Sequence, residues 1–522
     1  MNPVRIGPLW FGHACITLLR EEQRTHGVSY MRCPIQLLRD FTRRGLRTRQ
    51  AVCVAVACLL LLLCFPFVRS ACRRGSRRPA TTVLIDSVHA HNFLDEGLEP
   101  GNRDYHSLFG LRDAFGHLEA NGFGVREVAS GPLEADALEG VDILFINLVS
   151  DNLPPFLVGE IRAVKEFVTG GGSLLVITDH SNCYHHVHKL MPLFAELGLQ
   201  LHSESALEQA PRTLGPGPGW IVIDHFRNHP ITRGLSAVSF HTGGTVDEKG
   251  AVATLSENGW GDRWETAPFG ENSLRVGNRG NYGNFVMDDS ERKGELAVIA
   301  ARTLGAGRIV VVGDQNVFGN LWIRYADNAR LFLNVVSWLS DRVDVGKPSD
   351  FARAGVPSLL LLEDYARAVF ADYGDHGFYH VYGILSRHYP TFVHSRVNDD
   401  FGLVVVPGSD YLLPPEAAAK LVAHLKEGRD ILVLGGDGAP SNVARNVESL
   451  TGGMGMTPRS QEGDRAVYVG DGTGSLVLLR TPERFDNSAI SAPTASPGDE
   501  ERDRSAELLA LVRGLLPGAL RE

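Results

Sequence analysis

Cysteine is scarce beyond the first part of this sequence. Of the seven cysteines in 522 residues, six lie at or before Cys72, and Cys183 alone follows. A disulfide within residues 73–522 is therefore excluded. This usage fits an oxidising compartment and the cytoplasm equally well. The length exceeds what one hydrophobic core usually organises, so two or more domains are expected.

After residue 78 the sequence lacks an excess of basic residues. Residues 1–50 carry a net charge of +6 and residues 69–78 carry +5, while the whole chain carries -10. The remainder therefore carries about -21. Binding to nucleic acid depends on clustered lysine and arginine, so this acidic remainder excludes nucleic acid as the main partner.

Long apolar runs are also rare, with one exception. Residues 51–68, AVCVAVACLLLLLCFPFV, form an uncharged run of 18 residues between arginine-rich flanks. At ~1.5 Å per helical residue the run reaches ~27 Å, enough for a bilayer core. It predicts one transmembrane helix in contact with lipid, while a buried core helix or a cleaved signal peptide are the alternatives. Both flanks are basic, and we favour a cell-membrane protein with an extracytoplasmic body.

From residue 81 onward, short apolar runs alternate with amphipathic stretches. The predicted strands lie at 82–86, 141–147 and 173–180, the helices at 105–123, 158–172 and 327–339, and a hairpin at 295–314. Strands that are apolar on both faces and alternate with helices indicate a parallel sheet covered by helices. The predicted fold class is therefore α/β, a three-layer parallel-sheet domain of the flavodoxin-like or amidotransferase-like type.

The same order of elements recurs in residues 358–516. It predicts an internal duplication, with a shortened and degenerate second copy. The expected organisation is a basic tail (1–50), the transmembrane anchor (51–68), a basic linker (69–80), a first domain (81–345) and a second domain (355–518).

Ligands of parallel α/β sheets bind at the carboxyl ends of the strands, so the polar residues there are the candidates. The candidate catalytic residues are Asp86, His89, Asp179, His180 and Asp314. The candidate ligand-binding residues are His91, Asn92, Gln315, Asn316 and Asn320. Such a set can bind a divalent metal or hold an acid beside a base. Alternatively, the same side chains cap the segments after each strand and hydrogen-bond one another.

The run HSNCYHHVHK (180–189) is the richest in histidine. His180, His185 and His188 are candidate ligands for a divalent metal, although their spacing matches no standard zinc pattern. Cys183 is a candidate thiol nucleophile only if a base is held beside it. The second copy carries Glu363, Asp364 and Tyr365 at the first equivalent strand end and no histidine there, so we expect it to serve as a scaffold or to bind a partner.

Several motifs together resemble the class I glutamine amidotransferase-like superfamily. They are LIDSVHAHN, VDILFIN, FVTGGGSLLVITDH, HPITRGL, GRIVVVGDQNVFGN and DNARLFLNVVSWL. The resemblance covers residues 81–340 and, more weakly, 357–517. It is greatest to the branch of trehalose-utilisation-like proteins and of auxiliary domains of gliding motility, ABC transport and intraflagellar transport.

The departures from that superfamily concern its active site. Its enzymes place a nucleophilic cysteine in a tight elbow, where this sequence has Asp179, His180 and Ser181. The resemblance therefore implies the fold without glutaminase activity. Two functions follow: a binding module for a small polar or sugar ligand or an envelope partner, auxiliary to an ABC-type transport system, or a hydrolase of the cell envelope that uses metal or acid/base chemistry. A purely structural envelope protein is the third reading.

Overall fold

The computed structural model describes residues 81–90, 108–263, 283–397, 400–407, 411–435, 441–490 and 504–516. Residues 80–522 form one compact unit. Its first half contains the strands β1 (Thr82–Asp86), β2 (Gly124–Val128), β3 (Ile143–Asn147), β4 (Ser173–Ile177), β5 (Leu201–Leu207), β6 (Trp220–Ile223), β7 (His225–Phe226), β8 (Val238–His241), β9 (Gly244–Val246), β10 (Ala251–Thr254), β11 (Trp260–Arg263), β12 (Arg292–Lys293), β13 (Ala297–Leu304) and β14 (Gly307–Val312). Its helices are α1 (Arg112–Ala120), α2 (Val158–Thr169), α3 (His186–Leu197) and α4 (Asn328–Ser340).

The first large sheet runs in the order β2-β1-β3-β4-β14-β13-β10-β7. Successive side chains of its central strands point to opposite faces and pack under different helices. Ile85 and Phe145 lie in one apolar core with α1 and α4. Leu84 and Leu144 lie in another with α2 and α3. Burial on both faces explains why these strands are continuously apolar, and it produces three layers.

The second half follows the same path. Its strands are β15 (Leu359–Leu362), β16 (Thr391–His394), β17 (Leu403–Val406), β18 (Asp430–Leu434), β19 (Thr457–Glu462), β20 (Arg465–Val469) and β21 (Leu476–Leu479), and its helices are α5 (Tyr379–His388), α6 (Pro415–Lys426), α7 (Ser441–Thr451) and α8 (Ser505–Leu515). The sheet order is β16-β15-β17-β18-β21-β20-β19. In both sheets the first strand lies between the second and third, and the fourth is next to a hairpin, β14–β13 in the first sheet and β21–β20 in the second. An internal duplication would produce this shared order, and that origin stays a prediction.

The segment between β4 and β13 adds two small sheets, in the orders β12-β11-β5-β9 and β6-β8. Sequence patterning leaves this stretch irregular, yet it contributes β9, which packs against the carboxyl edge of the first sheet. The two halves meet through aromatic side chains and one backbone pairing. Trp322 is fully buried, and Tyr382 donates a hydrogen bond to the Leu321 carbonyl oxygen. The backbone of Tyr325 forms an isolated parallel β-bridge with that of Val393.

The predicted fold class is wrong as stated. Both large sheets are mixed, because the neighbouring pairs β14–β13, β13–β10 and β10–β7 in the first sheet and β21–β20 and β20–β19 in the second are antiparallel. Further sheets accompany them. The transmembrane helix predicted beside this class has no support, since no helix within the described ranges has the length and apolarity needed to cross a bilayer. Residues 51–68, on which that prediction fell, lie outside the described residues.

Candidate functional site

Two aspartates extend from neighbouring parallel strands at the carboxyl edge of the first sheet. Ile177 of β4 is in register with Val312 of β14, and Asp179 and Asp314 each lie two residues further on. Asp179 is 4% exposed and Asp314 is fully buried. The sheet therefore brings two carboxyl groups together away from water.

Backbone amides hold both carboxylates in place. Asp179 Oδ1 accepts a hydrogen bond from the His180 amide at 2.7 Å, and Oδ2 accepts a long one from the Gln315 amide at 3.4 Å. Asp314 accepts from the amides of His241 at 2.6 Å and Asn316 at 2.7 Å. Hydrogen bonds from backbone amides to these carboxylates are of the kind expected in the structural alternative.

The environment nevertheless disfavours two negative charges. Burial raises the pKa of Asp314 to about 7. Burial, and then the charge of Asp314, raise the pKa of Asp179 well above its ordinary value. Because like charges in a desolvated site destabilise each other, the pair favours a proton or a bound cation.

The turn after Asp179 brings two further side chains to the same place. One ligand atom each from Asp179, His180 and Cys183 lies within 4.8 Å of the others. Ser181 and Tyr184 have φ angles of 44° and 52° in the left-handed region, which costs non-glycine residues free energy. We call Asp179, His180, Cys183 and Asp314 the carboxyl-edge cluster.

Cys183 lies in an environment that keeps its thiol protonated. Burial, followed by the charge of Asp179, raises the pKa of Cys183 well above its ordinary value. A nucleophilic cysteine requires the opposite shift, toward the thiolate. The thiol-nucleophile hypothesis therefore finds no support in this geometry.

His186 fixes the turn from behind, a role that sequence reasoning missed. Its Nδ1 lies 2.8 Å from the Cys183 carbonyl oxygen, and the Asp179 amide donates to its Nε2 at 3.4 Å. Burial lowers the pKa of His186 to about 4, so its ring is neutral. The histidine-rich run indicates a polar site in this segment, but it does not show which histidine is buried.

Gly244 of β9 closes the site from the inserted segment. A Cβ at this position would overlap the Asp179 carbonyl oxygen. The Gly244 amide also donates to the Gly313 carbonyl oxygen, one residue before Asp314, at 2.7 Å. The close approach of backbone to backbone explains the glycine.

Asp86 and His89 form a separate group with Glu160. His89 Nδ1 lies 2.9 Å from Asp86 Oδ2, and its Nε2 lies 3.4 Å from Glu160 Oε2. All three side chains are buried, and Glu160 accepts hydrogen bonds from the amides of Leu133 and Leu157. Since β3 separates β1 from β4, Asp86 is roughly 10 Å from the cluster at ~4.8 Å per strand. This arrangement anchors the start of α2.

The remaining candidate residues are spread around the same edge. Asn320 accepts a hydrogen bond from the Asp113 amide of α1, and Asn316 donates to the His241 carbonyl oxygen. Gln315 is buried, and its backbone amide donates a hydrogen bond to Asp179. His91 and Asn92 lie outside the described residues.

The three candidate metal-ligating histidines do not converge. His180 is buried in the carboxyl-edge cluster. His185 is half-buried and His188 is exposed, with their ring centres 6.0 Å apart. Among the described residues, the group with metal-ligand spacing is Asp179, His180 and Cys183.

The equivalent edge of the second sheet carries a buried carboxyl group of its own. Glu363 follows β15 and accepts hydrogen bonds from the amides of Val369 at 2.6 Å and Phe370 at 2.9 Å. Burial raises its pKa to about 8. Because both hydrogen bonds come from backbone amides of the segment that follows β15, Glu363 holds that segment in its conformation.

Comparison with known proteins finds solved structures that share little sequence identity with this chain. No curated protein matches it. The solved structures that resemble it include the mmIFT52 N-terminal domain, at 14% identity over 50% of this chain and 99% of that one with a TM-score of 0.37. ThuA-like proteins from Bacteroides uniformis (13% identity, 52% and 96% covered, TM-score 0.29) and Parabacteroides merdae (14%, 50% and 90%, 0.28) also resemble it. At these TM-scores none of them carries an argument about this chain. Residues 107–336, which contain the carboxyl-edge cluster, match the model of a family described as a domain of unknown function, DUF4350.

Proposed function

We propose that this chain is a binding module of the amidotransferase-like type without a cysteine nucleophile, and that its carboxyl-edge cluster binds a small ligand. The observation that carries this proposal is the burial of Asp179 and Asp314 together on neighbouring strands. Within the described ranges, the basic side chain at ion-pair distance from this pair is the imidazole of His180, which is charged only when protonated, with 3.8 Å between its Nε2 and Asp179 Oδ1. A cation or a molecule rich in hydrogen-bond donors compensates such a site.

The ligand is small because the cluster is enclosed. Its four residues are at most 6% exposed. Tyr184, His185 and Asn316 adjoin it in sequence and are half-buried, so the ligand of this proposal enters from their side. A metal ion, an amine or one hydroxyl-bearing group suits an enclosed polar cluster of this kind better than a long polymer does.

A thermal-unfolding experiment on the full chain tests the proposal. The probes are Zn²⁺, Mn²⁺, glucose and glucosamine, added to chelator-treated wild-type protein and to Asp314→Asn. Asp289→Asn is the matched control, because Asp289 is fully exposed. At 100 times its Kd, a probe adds ~2.7 kcal/mol to the free energy of unfolding. We therefore expect at least one probe to raise the unfolding temperature of wild type and control and to leave that of Asp314→Asn unchanged. If no probe stabilises the chain, or if Asp314→Asn responds fully, the proposal is wrong.

A hydrolase is the second candidate. The observation that favours it is that the carboxyl groups of Asp179 and Asp314 lie at one edge of the sheet and have different hydrogen-bond partners. Two carboxyl groups in different environments can act as the acid and the base of one reaction. Release of p-nitrophenol from its acetate, phosphate and glucoside derivatives by the full chain, with loss in Asp314→Asn, would establish it. Binding without turnover favours the module.

A further inference from the structure

Three different metal-binding groups meet in the turn that follows β4. The ligand atoms of Asp179, His180 and Cys183 all lie within 4.8 Å of one another, and Asp179 Oδ1 lies 3.8 Å from His180 Nε2. Metal–ligand distances of ~2.0–2.3 Å place the ligand atoms of a tetrahedral zinc site ~3.6 Å apart. The observed spacing is thus within a small side-chain movement of a coordination shell.

We propose that this turn binds one divalent transition metal of the zinc type through the Asp179 carboxylate, the His180 imidazole and the Cys183 thiolate. The fourth position is open to water or to the ligand. This inference rests on the proposed function, since it names the cation that the same site takes. A set that contains thiolate and imidazole prefers zinc or cobalt to calcium or magnesium, which bind oxygen ligands.

The groups around the turn hold the ligands in the required orientation. His180 Nδ1 lies 2.8 Å from Ser181 Oγ, and when Nδ1 donates this bond the lone pair of Nε2 is available to the metal. His186 lies behind the turn, bonded to the Cys183 carbonyl oxygen and the Asp179 amide. Hydrogen bonds of this kind orient ligands in known metal sites.

Charge balance also favours a divalent ion. When the metal binds, the Cys183 thiol releases its proton to solvent and becomes the thiolate ligand. This thiolate and a deprotonated Asp179 carry two negative charges, which the divalent cation neutralises inside a buried site. Asp314, on the neighbouring strand, then faces a neutral centre rather than an isolated negative charge. Burial of charge without such compensation is costly.

Cobalt substitution in the full chain tests the inference. Chelator-treated protein receives Co²⁺, and the absorption spectrum reports tetrahedral coordination in the visible range and a thiolate-to-cobalt band in the near ultraviolet. We expect one equivalent to bind, the thiolate band to disappear in Cys183→Ser, and zinc affinity to fall more than about 100-fold in His180→Ala, since even loss of an orienting neighbour costs ~10–100-fold. His188→Ala, a change of the exposed histidine of the same segment, is the matched control and should bind as wild type does.

The outcomes separate the two proposals. Circular dichroism of each variant checks its fold, and Cys183→Ser, which is nearly isosteric, keeps the test informative where His180→Ala does not fold. If cobalt and zinc fail to bind, or Cys183→Ser keeps the thiolate band, the metal inference is overturned. If glucose or glucosamine still stabilises the chain through Asp314, the binding module stands without a metal. If no probe acts, both proposals fail.

Discussion

Asp179 and Asp314 occupy matching positions, each two residues beyond the register pair Ile177 and Val312. Two strands that are adjacent in the sheet but 135 residues apart in the chain thereby place two carboxyl groups in one buried space. Folding alone gains little from this arrangement, because like charges repel and burial removes their hydration. The relationship is what a site for a proton or cation requires.

The Asp86–His89–Glu160 group yields a first prediction, on stability. His89→Ala leaves two buried carboxyl groups without the imidazole between them. Removing one partner of a buried ionic group costs ~3–5 kcal/mol, and we expect a loss of that size in the free energy of unfolding from urea titration. His225→Ala is the control, because His225 pairs with Asp224 at the surface, where such pairs contribute ~0–1 kcal/mol. Equal losses in the two variants would contradict the buried network.

The close approach of Gly244 to Asp179 yields a second prediction. Gly244→Ala introduces a methyl group against the Asp179 carbonyl oxygen, so we expect a loss of ~1–3 kcal/mol and a weaker response to the stabilising probe. Gly116→Ala is the matched control, since Gly116 lies in α1 with open space around its Cβ position. Alanine there should raise stability by up to ~1 kcal/mol. An unchanged probe response in Gly244→Ala would show that β9 does not shape the site.

Glu363 yields a prediction on pH dependence. Burial raises its pKa to about 8, from an ordinary value of 4.5, and the charges of Asp364 and Asp372 add to the shift. The folded state therefore holds the proton more tightly than the unfolded state does. The stability associated with that proton is fully present below about pH 4.5 and is lost as the pH rises toward 8.

Urea titrations at several pH values between 5 and 8 measure this effect in wild type and Glu363→Gln. We expect the free energy of unfolding to fall more steeply with pH in wild type. The substituted side chain keeps one acceptor oxygen where Glu363 offers two to the backbone amides. That loss shifts all values equally and leaves the slope as the readout. Parallel slopes would contradict the assigned protonation.

Sequence patterning recovers the centre of each sheet and misses its edges. The runs at 82–86, 141–147 and 173–180 predict β1, β3 and β4 because these strands are buried on both faces. The strand β2 escapes prediction because its residues are half-buried or exposed. The hairpin β13–β14 is predicted, but its effect on the sheet is not. The strand β13 pairs antiparallel with β14, which makes the sheet mixed, and β10 and β7 extend the sheet beyond it.

The rule that ligands bind at strand ends finds the edge of the sheet where the candidate residues lie. It does not show that these residues form two separate groups. It names Asp179, His180 and Asp314, which the structure brings together, and equally Asp86 and His89, which Glu160 holds apart. Glu160 lies inside a helix, where its sequence context resembles a surface residue. Cys183 and His186 enter the site only because the backbone takes left-handed conformations at Ser181, Tyr184 and His185, and no local pattern predicts those.

The stability of Asp179→Asn tests the central claim most directly. Asparagine keeps the 2.7 Å bond from the His180 amide through its oxygen and loses only the 3.4 Å bond, while the charge beside Asp314 disappears. Urea titration of the chelator-treated full chain at pH 8 should give a free energy of unfolding equal to or above that of wild type, and the stabilising probe should no longer act. In the wild type both carboxylate oxygens of Asp86 contact His89, so Asp86→Asn should lose stability instead. A loss of ~2 kcal/mol or more in Asp179→Asn, with the probe response intact, would mean that this aspartate serves the fold alone and that the proposed site does not exist.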